Sequence, residues 1–119
     1  MKKTANFETV RKIAAELPGV EESTYWGSPA LKSGGKMVAV IPTHKSAEPG
    51  SVAISVDFDR RAELLEAAPE IYYVKPHYEN YPVVLVRLNR VDEESLRDLL
   101  KGALRFANAS RAKGKRKSS

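Results

Sequence analysis

Gly34-Gly35 lies between two stretches of strand character, residues 30–33 and 36–41. A pair of glycines can take positive φ at both positions, which the tightest turns between antiparallel strands demand. The chain must therefore reverse here, and its fold must contain an antiparallel sheet. A second reversal follows at once, because residues 42–50, with two prolines, His44, Lys45 and Glu48, have the make-up of a loop. Residues 51–56 return as a strand in which Val52, Ile54 and Val56 alternate with Ala53 and Ser55.

Helical periodicity surrounds this sheet. Asn6 can cap a first helix whose Phe7, Val10, Ala14 and Leu17 form one stripe, stopped by Pro18-Gly19. A connection rich in Glu and Ser leads to a bend at residues 25–29. Asp57 or Asp59 can cap a second helix through Ala67, with Ala62 and Leu65 inward and Leu64 a further candidate. Residues 71–74 read as a turn followed by an extended piece. The apolar density of residues 82–88 predicts a strand covered on both sides, with Arg87 the exception. Asp92 caps a last helix, stapled by Val91 and Leu96, whose stripe continues through Leu99, Leu100, Ala103, Phe106 and Ala107 and fades around Asn108. The order is helix, three or four antiparallel strands, helix, strand, helix. It predicts an α+β fold, an antiparallel sheet packed against three main helices.

The 119 residues suffice for one core, read as a single domain over residues 1–109 and a basic, disordered tail over 110–119. Cysteine is absent, which removes disulfides, thiolate metal sites and thiol nucleophiles. No stretch approaches the roughly 20 apolar residues of a membrane span, and the expected location is the cytoplasm. The net charge of +5 is concentrated in the tail: Arg111, Lys113, Lys115, Arg116 and Lys117 carry no acid among them, which leaves 15 cations against 15 acids in residues 1–110. Long-range attraction to polyanions therefore comes from the tail unless the charges of the body are segregated.

Catalytic patterns are missing. His44 and His77 are the only imidazoles and lie in no metal-ligand spacing. Glu21-Glu22 and Glu93-Glu94 suit a polar loop and a helix first turn better than an acid–base pair. No catalytic residue, metal site or cofactor is expected. The aromatics are more informative: all five tyrosines and the single tryptophan fall in Tyr25-Trp26 and in the window from Tyr72 to Tyr81. Tyr25, Trp26, Tyr73, His77 and Tyr78 could line a groove that stacks on a base or an organic ligand, or they could fill the gap between a sheet edge and its loops. Lys32 and Lys36 flank the Gly-Gly turn, where a basic hairpin can face a phosphate backbone or simply be solvated. Lys75 borders the second aromatic window.

The run Leu17-Pro18-Gly19-Val20-Glu21-Glu22, then Tyr25-Trp26-Gly27-Ser28-Pro29-Ala30-Leu31-Lys32, then Gly35-Lys36-Met37-Val38-Ala39 resembles the N-terminal signature of the MmcQ/YjbR-like family. Tyr73-Val74-Lys75-Pro76-His77-Tyr78 and Tyr81-Pro82-Val83-Val84-Leu85-Val86-Arg87-Leu88 are similar to that family's V-T-P-H-Y … W-V-x-V-x-L region, with Val83 or Val84 where the family often has Trp. The resemblance covers about residues 7 to 107. It implies a compact α+β fold with two β-hairpin wings and a DNA-binding role. The wings would be the Gly34-Gly35 turn with Lys32 and Lys36, and the 42–50 loop with His44 and Lys45. The leading expectation is thus DNA binding of low sequence specificity, through Lys32, Lys36, Lys45, Lys75 and the five tail cations. The alternative is a small-molecule or protein-binding domain using the Tyr/Trp/His77 groove, and an enzyme ranks last. The expected state is a monomer or a weak homodimer, with no membrane partner.

Overall fold

The computed structural model describes residues 5–25, 27–42 and 47–117, with side chains described to residue 109, Tyr25 excepted. Its elements in chain order are α1 (Phe7–Ala15), β1 (Val20–Tyr25), β2 (Ser28–Ser33), β3 (Lys36–Val40), β4 (Ser51–Ser55), α2 (Phe58–Ala67), β5 (Tyr72–Tyr73), a 3₁₀ turn (Pro76–Tyr78), β6 (Val83–Arg87) and α3 (Glu93–Lys117). The strands form one antiparallel sheet in the order β1-β2-β3-β4-β6-β5. Three helices and this sheet make an α+β fold, as the sequence predicts.

Local chemistry accounts for the boundaries. Asn6 accepts a hydrogen bond from the Thr9 backbone while Thr9 Oγ1 receives one from the Asn6 backbone, a reciprocal cap that starts α1. Of the two candidate caps for α2, Asp57 is the one in use, accepting from Arg60 N at 2.7 Å. Asp92 caps α3 through Ser95, and Val91 and Leu96 are both buried beneath it. Gly34 and Gly35 have φ of 57° and 82°, the double positive turn that their pairing demands.

One face of the sheet carries the main core. Leu31, Ala39, Ile54 and Val84 form a row of cross-strand neighbours there, with Val52, Val86 and Tyr72 in a second row. Val10, Ile13 and Ala14 of α1, Leu64 of α2, and Leu96, Leu99, Leu100, Ala103, Leu104 and Ala107 of α3 pack on it. Among the described residues, no α-helix packs on the opposite face. Its row of Ala30, Val40, Ala53, Leu85 and Tyr73 is nevertheless buried, with Met37, Ala47 and Tyr78 packed against it. Residues from the loops before β4 and before β6 thus close over the helix-free side. Strand β6 is buried on both faces except at Arg87, as its density of apolar residues predicts.

Several expectations need correction. The Glu- and Ser-rich connection is strand β1, whose residues 21–24 are exposed. An edge strand with a solvated face lacks the alternation that announces a strand. Strand β2 likewise begins at Ser28, inside the expected bend. In β3, Leu31 pairs with Ala39 but Lys32 pairs with Met37, so Val38 is the extra residue of a β-bulge. The alternation expected of this strand, with Lys36, Val38 and Val40 on one face and Met37, Ala39 and Ile41 on the other, fails there, and Val38 and Ala39 both enter the main core. In α2, Ala62 is exposed and Leu64 carries the burial. The α3 backbone does not fade at Asn108 but stays helical to Lys117. Ala, Arg and Lys are strong helix formers, and cations favour the carbonyl end of a helix.

Candidate nucleic-acid interface

The sheet topology decides which candidate residues can act together. Strand β3 runs away from the Gly34-Gly35 turn, β4 returns to it, and β6 starts beside the end of β4, where Ser55 pairs with Val83. The Gly34-Gly35 turn, the β4–α2 junction and the 74–82 segment therefore share one end of the sheet. Residues 41–42, which leave β3, and 47–50, which enter β4, lie at the other end, because successive turns of an antiparallel sheet alternate ends. The described parts of the two expected wings are thus at opposite ends. His44 and Lys45 lie outside the described residues.

Helix α3 links the two ends. It begins after β6, at the end of the 42–50 loop, and its residues 98–109 border a groove of about 370 Å³ together with Val56, Asp57 and Arg60 at the Gly-Gly end. Its 25 residues span about 37 Å at 1.5 Å each. The last acid of the chain is Asp98, and Lys101, Arg105, Arg111, Lys113, Lys115, Arg116 and Lys117 follow it. Lys101 and Arg105 are exposed. The side chains of the five tail cations lie outside the described residues.

Lys36 is exposed at the same end. Lys32 is half-buried and opposes Glu21 on β1 and Met37 on β3. It thereby lies on the helix-free face, as does Lys75, whose Nζ is 5.9 Å from the centre of the Tyr73 ring. Four strand spacings separate β2 from β5, roughly 19 Å. Lys32, Lys36 and Lys75 thus border one end of the sheet but do not form a contiguous cluster.

The aromatic candidates divide. Tyr73, His77 and Tyr78 come together beside β5, with the His77 and Tyr78 rings edge to face at 4.8 Å. Tyr25 ends β1 at the other edge of the sheet, roughly 24 Å away by strand count. The side chain of Tyr25 and the whole of Trp26 lie outside the described residues.

Tyr73 is engaged from every side. Its hydroxyl accepts from Glu48 N at 2.8 Å and shares a 2.7 Å hydrogen bond with Ser51 Oγ. The Arg87 guanidinium lies 4.4 Å from its ring centre. Arg87 in turn holds Glu48 in a two-bond ion pair at 2.7 and 2.8 Å and donates to the Pro69 and Glu70 carbonyls. This clamp fastens the 47–50 segment to β5 and β6. Through the hydrogen bond from Arg87, the Glu48 carboxyl is held below its usual range, and the Arg87 guanidinium is raised by the same contact. Sequence inspection found Tyr73 but missed its partners Arg87, Glu48 and Ser51. The lone arginine in an apolar strand was the available signal.

Among the described residues, no group of three or more His, Cys, Asp or Glu is placed to hold a metal ion. Among them too, no helix is long and apolar enough to cross a membrane.

Comparison with known proteins agrees with this fold. No curated protein sequence matches the chain. Among solved structures, it is similar to the crystal structure of Deinococcus radiodurans protein DR2400, which has a DUF419 domain. The two are 25% identical, with a TM-score of 0.67 over 87% of this chain and 80% of the other. The YjbR family model matches residues 15–105. That span takes in every strand, α2 and most of the packed part of α3, and the chain belongs to the YjbR family.

Proposed function

We propose that the chain binds the phosphate backbone of nucleic acid, DNA first, with the C-terminal half of α3 as the principal contact and low sequence preference. The observation that carries this reading is the run of seven cations without an acid after Asp98, on one continuous helix. Like charges four residues apart, such as Arg111 with Lys115 and Lys113 with Lys117, destabilise a helix by a few tenths of a kcal/mol per pair. A polyanion laid along the helix relieves that repulsion and releases its own counterions. Lys36, at the same end of the sheet, is a secondary contact, with Lys32 and Lys75 beyond it on the helix-free face. A cytoplasmic setting is part of the proposal.

The test is fluorescence anisotropy with duplex DNA between 50 and 200 mM salt, comparing the full chain with one ending at Ser110. Five tail contacts would steepen the log–log salt slope by about 4.5, so this fourfold rise in salt should weaken the tail's contribution by roughly 500-fold. Equal slopes for the two chains would remove the part of α3 after Ser110 from the interface. Affinity insensitive to salt in both would refute the phosphate reading altogether.

A further inference from the structure

Phe58 and Tyr81 are each 49% exposed, and among the described residues they stand out as exposed large apolar side chains. Single exposed rings are ordinary on a protein surface. These two are joined by one arginine. Arg61 donates through one terminal nitrogen to the Tyr81 and Val83 carbonyls at 3.0 and 3.2 Å and through the other to the Glu79 carbonyl at 3.0 Å. Its guanidinium carbon also lies 4.8 Å from the centre of the Phe58 ring. The first turn of α2 and the segment entering β6 are thus tied together, which fixes the backbone bearing Tyr81 relative to Phe58, whose ring the guanidinium covers. Aromatic residues and arginine held in this way are the residue types that anchor protein interfaces.

The surroundings identify the kind of partner. Asp57, Asp59 and Glu63 on the α2 side and Glu79 in the loop are all exposed. Against them stand Arg61, whose donors are engaged by carbonyls, and Arg60, which is paired with Glu63 at 3.2 Å. The patch is therefore acidic around an apolar centre, the opposite of the basic half of α3, and it would repel a polyanion.

We propose that Phe58, Arg61 and Tyr81 form a docking surface for a basic protein segment, one that places an apolar or aromatic side chain on the two rings and lysines or arginines against the acidic rim. The surface is independent of the phosphate reading and uses different residues.

The experiment is an amide NMR titration of the full, isotope-labelled chain with the pentapeptide Lys-Lys-Trp-Lys-Lys and, separately, with Asp-Asp-Trp-Asp-Asp. The basic peptide should shift residues 57–63 and 79–83 in a saturable way, and Phe58→Ala and Tyr81→Ala should each weaken it about tenfold. Because both rings are half exposed, the variants should keep the parent spectrum elsewhere, which the same spectra show. The proposal is overturned if the acidic peptide binds as well as the basic one, if the shifts fall outside these segments, or if neither substitution matters. A single-stranded oligonucleotide that shifts the same amides more strongly would also overturn it, in favour of base stacking.

Discussion

Replacing Tyr73 by phenylalanine removes one oxygen from the centre of the clamp and leaves the ring in place. The hydroxyl makes two hydrogen bonds, at 2.7 Å to Ser51 Oγ and 2.8 Å from Glu48 N. Ser51 is only 6% exposed, so its hydroxyl loses a partner with little access to water, whereas the Glu48 amide sits in an exposed residue and can be hydrated. At about 1 kcal/mol for a typical net hydrogen bond, and more where a buried group is orphaned, the substitution should cost about 2 kcal/mol. For a domain of this size that lowers the melting temperature by about 10 °C. Urea unfolding followed by circular dichroism should show a lower midpoint with an unchanged slope, since the area exposed on unfolding is the same. Ser51→Ala introduced into the Tyr73→Phe chain should then cost less than Ser51→Ala in the parent chain, because the shared bond is already gone. A loss under about 0.5 kcal/mol, or full additivity of the two substitutions, would refute the view that the hydroxyl ties the loop to the sheet.

Two further perturbations address the turn and the ion pair. Gly35 has φ of 82° and nothing within 4 Å of an added Cβ, so Gly35→Ala meets backbone strain alone and should cost about 1 kcal/mol in the same urea assay. A neutral result would mean that the turn relaxes to another type. Glu48 is held below the usual carboxylate range by Arg87, so its contribution to stability is present above the unfolded glutamate value of about 4.3 and is lost as pH falls through the lower folded value. Acid unfolding of the parent chain should accordingly be steeper below that pH than unfolding of Glu48→Gln. Coincident acid profiles would show that the pair does not contribute.

Residues that alternate or recur every third and fourth position were legible without coordinates, because burial on one face leaves a period in the sequence. Val52, Ile54 and Val56 and the Leu96-to-Ala107 stripe were legible in this way, and the run of β6 through its apolar density, which burial on both faces demands. Gly34-Gly35 was legible for a different reason, since a backbone demand for positive φ can be met by few residue types. The YjbR relationship was legible in residues 17–22, 25–32, 35–39, 73–78 and 81–88.

What the tertiary structure decided has no local signature. Strand β1 is an edge whose side chains meet water, so only its neighbour β2 makes it a strand. The bulge at Val38 depends on the register of two strands together. Arg87 became a clamp because Glu48 and Tyr73, 39 and 14 positions away in sequence, arrive beside it. Sequence spacing could not place Lys36 at the same end of the sheet as the basic half of α3, nor send residues 47–50 to the opposite end. Composition and period are properties of one segment, whereas a surface is assembled by which segments the sheet order brings together.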